Sequence, residues 1–166
     1  MTQDLYFAAG CFWGAQKFFS KVKGVTFTEV GFANGSTPNP TYKEVYTDQT
    51  GYAETVHLQY DTEVIGEERL TELFLRTIDP LSLNKQGEDE GTRYRTGVYY
   101  VVEEQLAGIR AALDRAAAAL GQALAVELLP LRNFYRAEEY HQDYLEKNPG
   151  GYCHLSPAIF KIAEEA

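Results

Sequence analysis

The sequence contains few of the residues that build disulfide scaffolds or metal sites. Only two cysteines, Cys11 and Cys153, occur among its 166 residues, near opposite ends of the chain. This number is too small for the disulfide framework of a secreted protein, and in a reducing compartment such a pair is either inert or redox-active. The three histidines, His57, His141 and His154, form no recognisable ligand set, so we expect no metal site.

Positive charge and long apolar segments are also scarce. The chain has 15 basic residues against 24 acidic ones, a formal net charge of -9, which argues against nucleic acids and anionic membranes as partners. No apolar run approaches the roughly 20 residues that span a bilayer. The first residues, MTQDLYF, also lack the basic cluster of a signal peptide. We therefore expect a cytoplasmic protein, and we expect it to be a monomer.

The residues that are present suffice for one folded domain over 1–166. An apolar fraction of 45% is typical of a globular protein, and a chain of this length can fold without disulfides. Hydrophobic periodicity predicts the order βαββαβ, with strands at 4–9, 25–32, 54–60 and 97–102 and helices at 14–21 and 66–78. With right-handed crossovers, this order indicates an α+β fold, a two-layer α/β sandwich with a ferredoxin-like core and a mixed sheet.

Three further elements and a tail are expected outside this core. The pattern predicts a helix at 103–120, a strand at 125–129 and a helix at 137–147. Residues 148–166 begin with NPGG, which ends the last helix, and we expect a long, flexible C-terminal coil that carries Cys153. The loop before the third strand is rich in glycine, proline and asparagine, and loops of this length are usually functional.

Cys11 lies in the stretch AAGCFWGAQKFF, where a predicted strand meets a predicted helix. At the start of a helix, unpaired N–H groups and the positive end of the helix dipole stabilise a thiolate. Free cysteines are also among the most buried residues and act as small hydrophobes. Position alone therefore leaves a reactive thiolate and a core residue as equal alternatives.

Aromatic and acidic residues offer further candidates for a site. Phe12 and Trp13 follow Cys11 directly, where two rings could enclose a methyl group or a thioether, although both also suit a core. Glu54 opens a predicted strand after the long loop, and Asp89 lies within KQGEDEGTRYR. Each is an ordinary surface charge unless burial near Cys11 keeps its carboxyl protonated and able to act as an acid.

Six sequence blocks cover essentially the whole chain. They are GCFWG at 10–14, NPTYKEV at 39–45, TGYAETV at 50–56, DPLSLNKQGEDEGTRYRT at 79–96, FYRAEEYHQDYL at 134–145 and NPGGYC at 148–153. In this order they resemble the blocks of the A-type peptide methionine sulfoxide reductases. One pentapeptide would be suggestive, whereas six ordered blocks are highly specific.

The resemblance implies a role for each candidate residue. Cys11 falls on the family's nucleophile, and Phe12 and Trp13 fall on the residues that line the pocket for the substrate methyl group. Cys153 falls where many members place the resolving cysteine, which closes a disulfide with the nucleophile. The family's acid and hydrogen-bonding residues fall on Glu54, Tyr42, Tyr94 and Asp89.

The resemblance also implies the reaction. It is the reduction of methionine S-sulfoxide, free or in proteins, to methionine through a cysteine sulfenic acid and an intramolecular disulfide. No prosthetic group is implied, because a thioredoxin-like dithiol reduces the disulfide by exchange. The biological role would be protein repair after oxidative damage.

The sequence departs from the family pattern at four positions. Tyr52 and Ile78 stand where histidine is common in the family, and Glu88 and Arg93 stand where asparagine and glutamine are usual. None of the four carries a chemical step.

From the residues alone, a thiol peroxidase or redox-sensing protein and a non-catalytic module that binds oxidised methionine are the alternatives.

Overall fold

The computed structural model describes all residues from 1 to 166 and contains a six-stranded sheet with helices packed on it. The spatial order of the strands is β7-β6-β1-β3-β2-β8. Their bounds are β1 Thr2–Ala9, β2 Val25–Ala33, β3 Ala53–Asp61, β6 Thr96–Tyr100, β7 Val126–Pro130 and β8 Phe134–Arg136. A separate two-stranded hairpin consists of β4 Lys85–Gln86 and β5 Asp89–Glu90.

The central four strands have the order β6-β1-β3-β2, and each neighbouring pair is antiparallel. This arrangement is compatible with the predicted ferredoxin-like core, in which two βαβ units interleave their strands. Strand β7 adds to β6 in parallel, so the sheet is mixed. The predicted α+β class and the mixed sheet are therefore confirmed.

Six α-helices accompany the sheet. They are α1 Phe12–Ser20, α2 Tyr42–Val45, α3 Glu67–Arg76, α4 Leu106–Leu120, α5 Tyr144–Lys147 and α6 Pro157–Glu165. None of them has the length and apolar character that crossing a membrane requires.

The main core lies between one face of the sheet and helices α1, α3, α4 and α6. Alternate residues of β3, namely Val56, Leu58 and Tyr60, point into it and are fully buried, as the period of a strand requires. Phe7 of β1 stacks between Phe19 of α1 at 5.0 Å and Phe74 of α3 at 4.9 Å. Each such buried ring stabilises the fold by roughly 1.5–3 kcal/mol.

His57 lies on the opposite face of the sheet, as the alternation along β3 predicts. Its Nε2 is 2.7 Å from Oδ1 of Asp4, its Nδ1 is 2.7 Å from Oε2 of Glu29, and its ring stacks on Tyr6 at 4.4 Å. Because both ring nitrogens are paired here, His57 is a structural residue and takes no part in the chemistry of Cys11.

The helix predicted at 137–147 is wrong. The chain instead forms β8, then a single 3-10 turn at Glu139–His141 and finally the short helix α5. The side-chain amide of Gln142 bonds both the N–H and the carbonyl of Val30, and Asp143 adopts a φ of 53°. These contacts with strand β2 override the helical propensity of the segment.

The long C-terminal coil is also only partly present. Residues 157–165 form α6, which places Phe160 and Ala163 in the main core beside α1. Apolar residues three and four positions apart make one face of this helix, and Pro157 suits its first turn. The prediction of a coil is therefore wrong for 157–165, and the irregular segment that carries Cys153 is held at both ends.

Candidate active site

Cys11 sits at the point where β1 turns into α1. Gly10 has a φ of 77°, a conformation that side chains other than glycine rarely adopt, and this residue turns the chain out of the strand. Cys11 is then the N-cap of α1 and is only 6% exposed. The predicted strand-to-helix position is confirmed, with the sulfur enclosed.

Burial raises the pKa of the Cys11 thiol well above its usual range. The charge that Glu54 would carry adds to this rise, while the nearby main-chain N–H of Trp13 opposes it. Desolvation of the thiolate therefore outweighs the stabilising effect of the helix dipole. In the absence of substrate, Cys11 is a thiol.

Glu54 is the buried acid of the site. It is the second residue of β3, is 1% exposed, and its Oε1 accepts a hydrogen bond of 3.2 Å from the N–H of Phe12. Burial raises the pKa of Glu54 to about 8, against the opposing effects of the Phe12 N–H and the Arg93 charge. At neutral pH the carboxyl is thus protonated. Since Oε1 accepts and Oε2 has no protein partner, Oε2 is the oxygen that can carry the proton.

The two aromatic residues after Cys11 occupy a cluster of rings. Phe12 is 1% exposed, and the indole of Trp13 stacks on Tyr144 at 3.8 Å. Trp13 Nε1–H donates to Nδ1 of His141 at 3.1 Å. Burial lowers the pKa of His141, which keeps its ring neutral and able to accept this bond. The indole plane is therefore fixed from two sides.

His141 and Tyr144 are site residues that inspection of the sequence missed. Both belong to the FYRAEEYHQDYL block, which the resemblance identified without giving its residues roles. The segment's apparent helical pattern obscured their placement, since β8, the 3-10 turn and α5 are needed to carry them to Trp13. No local motif signals such a contact.

Tyr42 and Tyr94 add two phenols. Tyr42 starts α2, and its ring meets His141 edge to face at 4.2 Å. Tyr94 ends a 3-10 turn before β6 and is 6% exposed. Burial, together with the charge that Glu54 would carry, raises the pKa of both phenols. They remain hydrogen-bond donors throughout the neutral range.

Arg93, one of the departures from the family pattern, places a buried cation beside the acid. It is 8% exposed, and its Nη1 lies 2.5 Å from Oδ2 of Asp48. Its guanidinium carbon is 4.4 Å from the centre of the Tyr94 ring. The charge of Arg93 lowers the pKa of Glu54 without cancelling the effect of burial.

The departures Tyr52 and Ile78 are packing residues. Tyr52 is 1% exposed and its hydroxyl donates to the carbonyl of Thr37, while Ile78 packs against the main core. Glu88, the remaining departure, is exposed on the β4–β5 hairpin.

The C-terminal segment lies against the first turn of α1. The Sγ of Cys153 is 2.9 Å from the point where a Cβ at Gly14 would stand, so the second glycine of GCFWG makes room for this thiol. Both cysteines are free. Beside them, the hydroxyl of Tyr152 donates to Oδ2 of Asp89 at 3.1 Å. The fold thus brings residues from both ends of the sequence to one place.

The described contacts place all eight sequence-predicted residues in one region. They are Cys11, Phe12, Trp13, Tyr42, Glu54, Asp89, Tyr94 and Cys153. No group of three or more histidine, cysteine, aspartate and glutamate side chains is arranged to hold a metal ion.

Three comparisons with known proteins bear on this site. The model of the family described as peptide methionine sulfoxide reductase matches residues 3–165. Peptide methionine sulfoxide reductase MsrA of Lachnoclostridium phytofermentans is 50% identical over 166 residues, which cover 100% of both chains. The crystal structure of Mxr1 from Saccharomyces cerevisiae in reduced form has a TM-score of 0.87 and 36% identity, covering 92% of this chain and 88% of that one.

A further structure is similar in fold alone. It is Mxr1 from Saccharomyces cerevisiae in complex with Trx2, with a TM-score of 0.61 and 23% identity, and it covers 86% of this chain and 84% of that one. Together, the α+β fold, the enclosed cysteine and the neutral buried acid define a thiol-dependent oxidoreductase. The chain belongs to the peptide methionine sulfoxide reductase family.

Proposed function

We propose that the chain reduces methionine S-sulfoxide, free or within peptides and proteins, with Cys11 as nucleophile and Glu54 as acid. The observation that carries this proposal is the carboxyl of Glu54. The N–H of Phe12 holds one of its oxygens at 3.2 Å, and burial keeps the group protonated next to a cysteine. A simple thiol switch has no need of such an acid, whereas a sulfoxide oxygen must be protonated before its sulfur becomes electrophilic.

The chemical step transfers the substrate oxygen to Cys11. The sulfoxide oxygen takes the proton of Glu54 and is also bonded by the phenols of Tyr42 and Tyr94. Cys11 attacks the substrate sulfur, and its own proton passes to Glu54, which restores the acid. The attack forms a bond between the two sulfurs, and this bond breaks again as the hydroxyl moves from the substrate sulfur to the Cys11 sulfur, so that one S–O bond breaks and another forms. Methionine leaves reduced by two electrons, and Cys11 becomes a sulfenic acid.

The neutral state of both groups suits this cycle. A thiolate at Cys11 and a carboxylate at Glu54 would repel each other in a dry site. The charge that Glu54 would carry raises the pKa of the Cys11 thiol, and both charges would raise the pKa of the Tyr42 phenol. A thiol and a carboxylic acid together hold the two protons that the exchange needs. The site is thus prepared at neutral pH without a preformed thiolate.

The aromatic cluster would select one epimer. If the substrate methyl packs on Phe12 and Trp13 while its oxygen meets Glu54, only one configuration at sulfur presents its electrophilic face to Cys11. The Trp13 ring can serve as a fixed wall because Tyr144 and His141 hold it. Recognition of the side-chain end alone also explains why free and peptide-bound substrates would both enter.

An assay of each pure epimer tests this proposal. With dithiothreitol or a thioredoxin system, we expect methionine to form from the S-sulfoxide at least about 100-fold faster than from the R-sulfoxide, since the wrong epimer loses the acid contact. Methionine would be measured by chromatography, with hydrogen peroxide as a third substrate. Preferred turnover of peroxide, or equal turnover of the epimers, would count against the proposal.

Cys153 is the proposed resolving thiol. Its sulfur lies over Gly14, one turn of α1 from Cys11, and it is free in this structure. After methionine leaves, Cys153 would displace the hydroxyl of the Cys11 sulfenic acid and close a disulfide. A thioredoxin-like dithiol of the cytoplasm would then reduce this disulfide by exchange, and no prosthetic group is required.

One equivalent of S-sulfoxide is expected to produce a Cys11–Cys153 disulfide in the wild-type protein. In Cys153→Ser, the sulfenic acid should persist and react with dimedone, and turnover with thioredoxin should fall at least about tenfold because a protein dithiol reaches a disulfide better than a buried sulfenic acid. Mass spectrometry of non-reduced peptides would distinguish the two products. A dimedone adduct in the wild type, with Cys153 still free, would refute the resolving role.

A further inference from the structure

His154 occupies the other flank of the Cys11 turn. Its Nε2 is 3.6 Å from the point where a Cβ at Gly10 would stand, and its own Cβ is 3.8 Å from the corresponding point at Gly87. The ring therefore lies between the β1–α1 turn and the β4–β5 hairpin. Consecutive residues of the C-terminal segment thus contact both glycines of GCFWG, Cys153 at Gly14 and His154 at Gly10.

The imidazole of His154 is not held by a well-formed hydrogen bond. Both of its ring nitrogens are shielded from solvent and neither has a partner within hydrogen-bond geometry, while the main chain of Thr77 acts weakly on the ring. By contrast, His57 is paired at both nitrogens and His141 is bonded by Trp13. Burying a polar group without a good hydrogen-bond partner destabilises the fold, so the retention of this ring calls for an explanation.

The groups around His154 favour a neutral ring. Burial lowers its pKa, while Asp89 of β5 and the main chain of Thr77 oppose the change. Cys11 follows Gly10 and Cys153 precedes His154 along the chain, and the charges of Lys17 and Asp89 both act on Cys153. A neutral imidazole can accept a proton at one nitrogen and return it, which a buried carboxylate or amide in the same place does less readily.

We propose that His154 carries the proton during disulfide formation, so that the hydroxyl of the Cys11 sulfenic acid departs as water. The inference rests on the proposed function and deepens it, because it concerns the second half of the same cycle. From its place beside Gly10, the imidazole would take a proton from one reacting group and return it to the other. His154 is therefore a proton-transfer residue in this proposal.

The step balances without any added reagent. The thiol proton of Cys153 passes to the imidazole, and its sulfur attacks the sulfur of Cys11. The S–S bond forms as the S–O bond breaks, and the leaving oxygen takes the proton back from the imidazolium. One sulfenic acid and one thiol give one disulfide and one water, and both electrons of the new bond come from Cys153.

The test measures the two halves of the cycle separately in a single turnover. Wild-type protein, His154→Phe and His154→Gln are reduced, mixed with one equivalent of S-sulfoxide and quenched with acid at set times. Methionine is measured by chromatography, and the disulfide by mass spectrometry after alkylation. Gly14→Ala serves as a matched control, because its methyl group would meet the Cys153 sulfur and Leu155, with no atom of His154 among its nearest neighbours.

In His154→Phe, disulfide formation should slow about 100-fold relative to methionine release, as expected for loss of an acid–base group. In the wild type, the rate of disulfide formation should rise with pH in the range where His154 becomes neutral. This rise should be absent in His154→Phe, and added imidazole should restore part of the lost rate. Gly14→Ala should slow the same step but keep the wild-type pH dependence. His154→Gln, which keeps a polar side chain, should behave like His154→Phe.

Two results would overturn the inference. One is a wild-type rate of disulfide formation in both His154 variants, and the other is a slowed rate that retains the wild-type pH dependence, as a packing role would give. A parallel series in which one equivalent of hydrogen peroxide makes the sulfenic acid keeps the test independent of the sulfoxide. If the wild type forms no methionine, the proposed function fails, whereas the peroxide series still decides the role of His154.

Discussion

Replacing Cys11 with serine is expected to reduce methionine formation from the S-sulfoxide by about 10⁴-fold or more, the scale seen when a nucleophile is removed. Serine keeps the shape of the turn and the N-cap position but is a far weaker nucleophile toward sulfur. It also has no oxidation state that could take up the oxygen. The measurement is methionine released under dithiothreitol, where no resolving cysteine is needed.

Cys153→Ser is the matched control for this variant. It removes the other thiol of the chain, yet it should still release one methionine per protein molecule in a single turnover, because Cys11 remains. The two serine variants therefore separate the first half of the cycle from the second. Appreciable turnover by Cys11→Ser would show that the nucleophile lies elsewhere.

Glu54→Gln is expected to lower the rate of methionine formation by about 10²- to 10⁴-fold, the usual contribution of a positioned acid. The amide has the same shape and can still accept the Phe12 N–H bond, but it cannot give up a proton. In the wild type, activity should fall as pH rises through about 8, where Glu54 loses its proton. The residual activity of Glu54→Gln should lack this fall.

The same carboxyl makes stability depend on pH, and the sign follows from its raised pKa. Between its ordinary value of 4.5 and about 8, the folded protein holds a proton on Glu54 that the unfolded chain releases. The free energy of unfolding should therefore decrease as pH rises across this window, by at most about 1.4 kcal/mol per pH unit. Urea titrations at several pH values should show this decrease in the wild type and not in Glu54→Gln. If the free energy of unfolding changes equally with pH in the wild type and in Glu54→Gln, then Glu54 lies in a more polar environment than the structure shows.

The site geometry separates the family's reaction from the alternatives that the residues alone left open. A thiol peroxidase needs an enclosed cysteine and a resolving partner, but it has no use for a protonated carboxyl or a fixed indole wall. A binding module needs the aromatic rings, but it has no use for a second thiol seated over Gly14. We therefore propose that Cys11, Glu54, Trp13 and Cys153 act together in a cycle that reduces a methyl sulfoxide.

The sequence predicted the elements from β1 to β7 well, including the helix expected at 103–120 and the strand expected at 125–129, and it predicted residues 134–166 poorly. Strands β1, β2, β3 and β6 lie within one to two residues of their expected bounds because period-two alternation and flanking glycines are local signals. The segment at 134–147 follows no local rule. Gln142 and Asp143 are directed by bonds to Val30 and Gln16, which lie more than a hundred residues away along the chain. Inspection of residues 137–147 by themselves could not reveal these partners.

The sequence by itself identified the family of the chain and eight candidate site residues, although not His141 and Tyr144. The signature GCFWG with the later blocks pointed to Cys11, Phe12, Trp13, Glu54 and Cys153, because residue type and local order carry that information. Only the tertiary structure decided their chemical state. The same helix N-terminus that favours a thiolate in water holds a thiol here, since packing encloses Cys11 and makes desolvation larger than the dipole effect. Burial of Glu54 and the weakly held ring of His154 are likewise properties of the packed molecule, because a pKa and a hydrogen-bond partner depend on neighbours that the chain brings together only by folding.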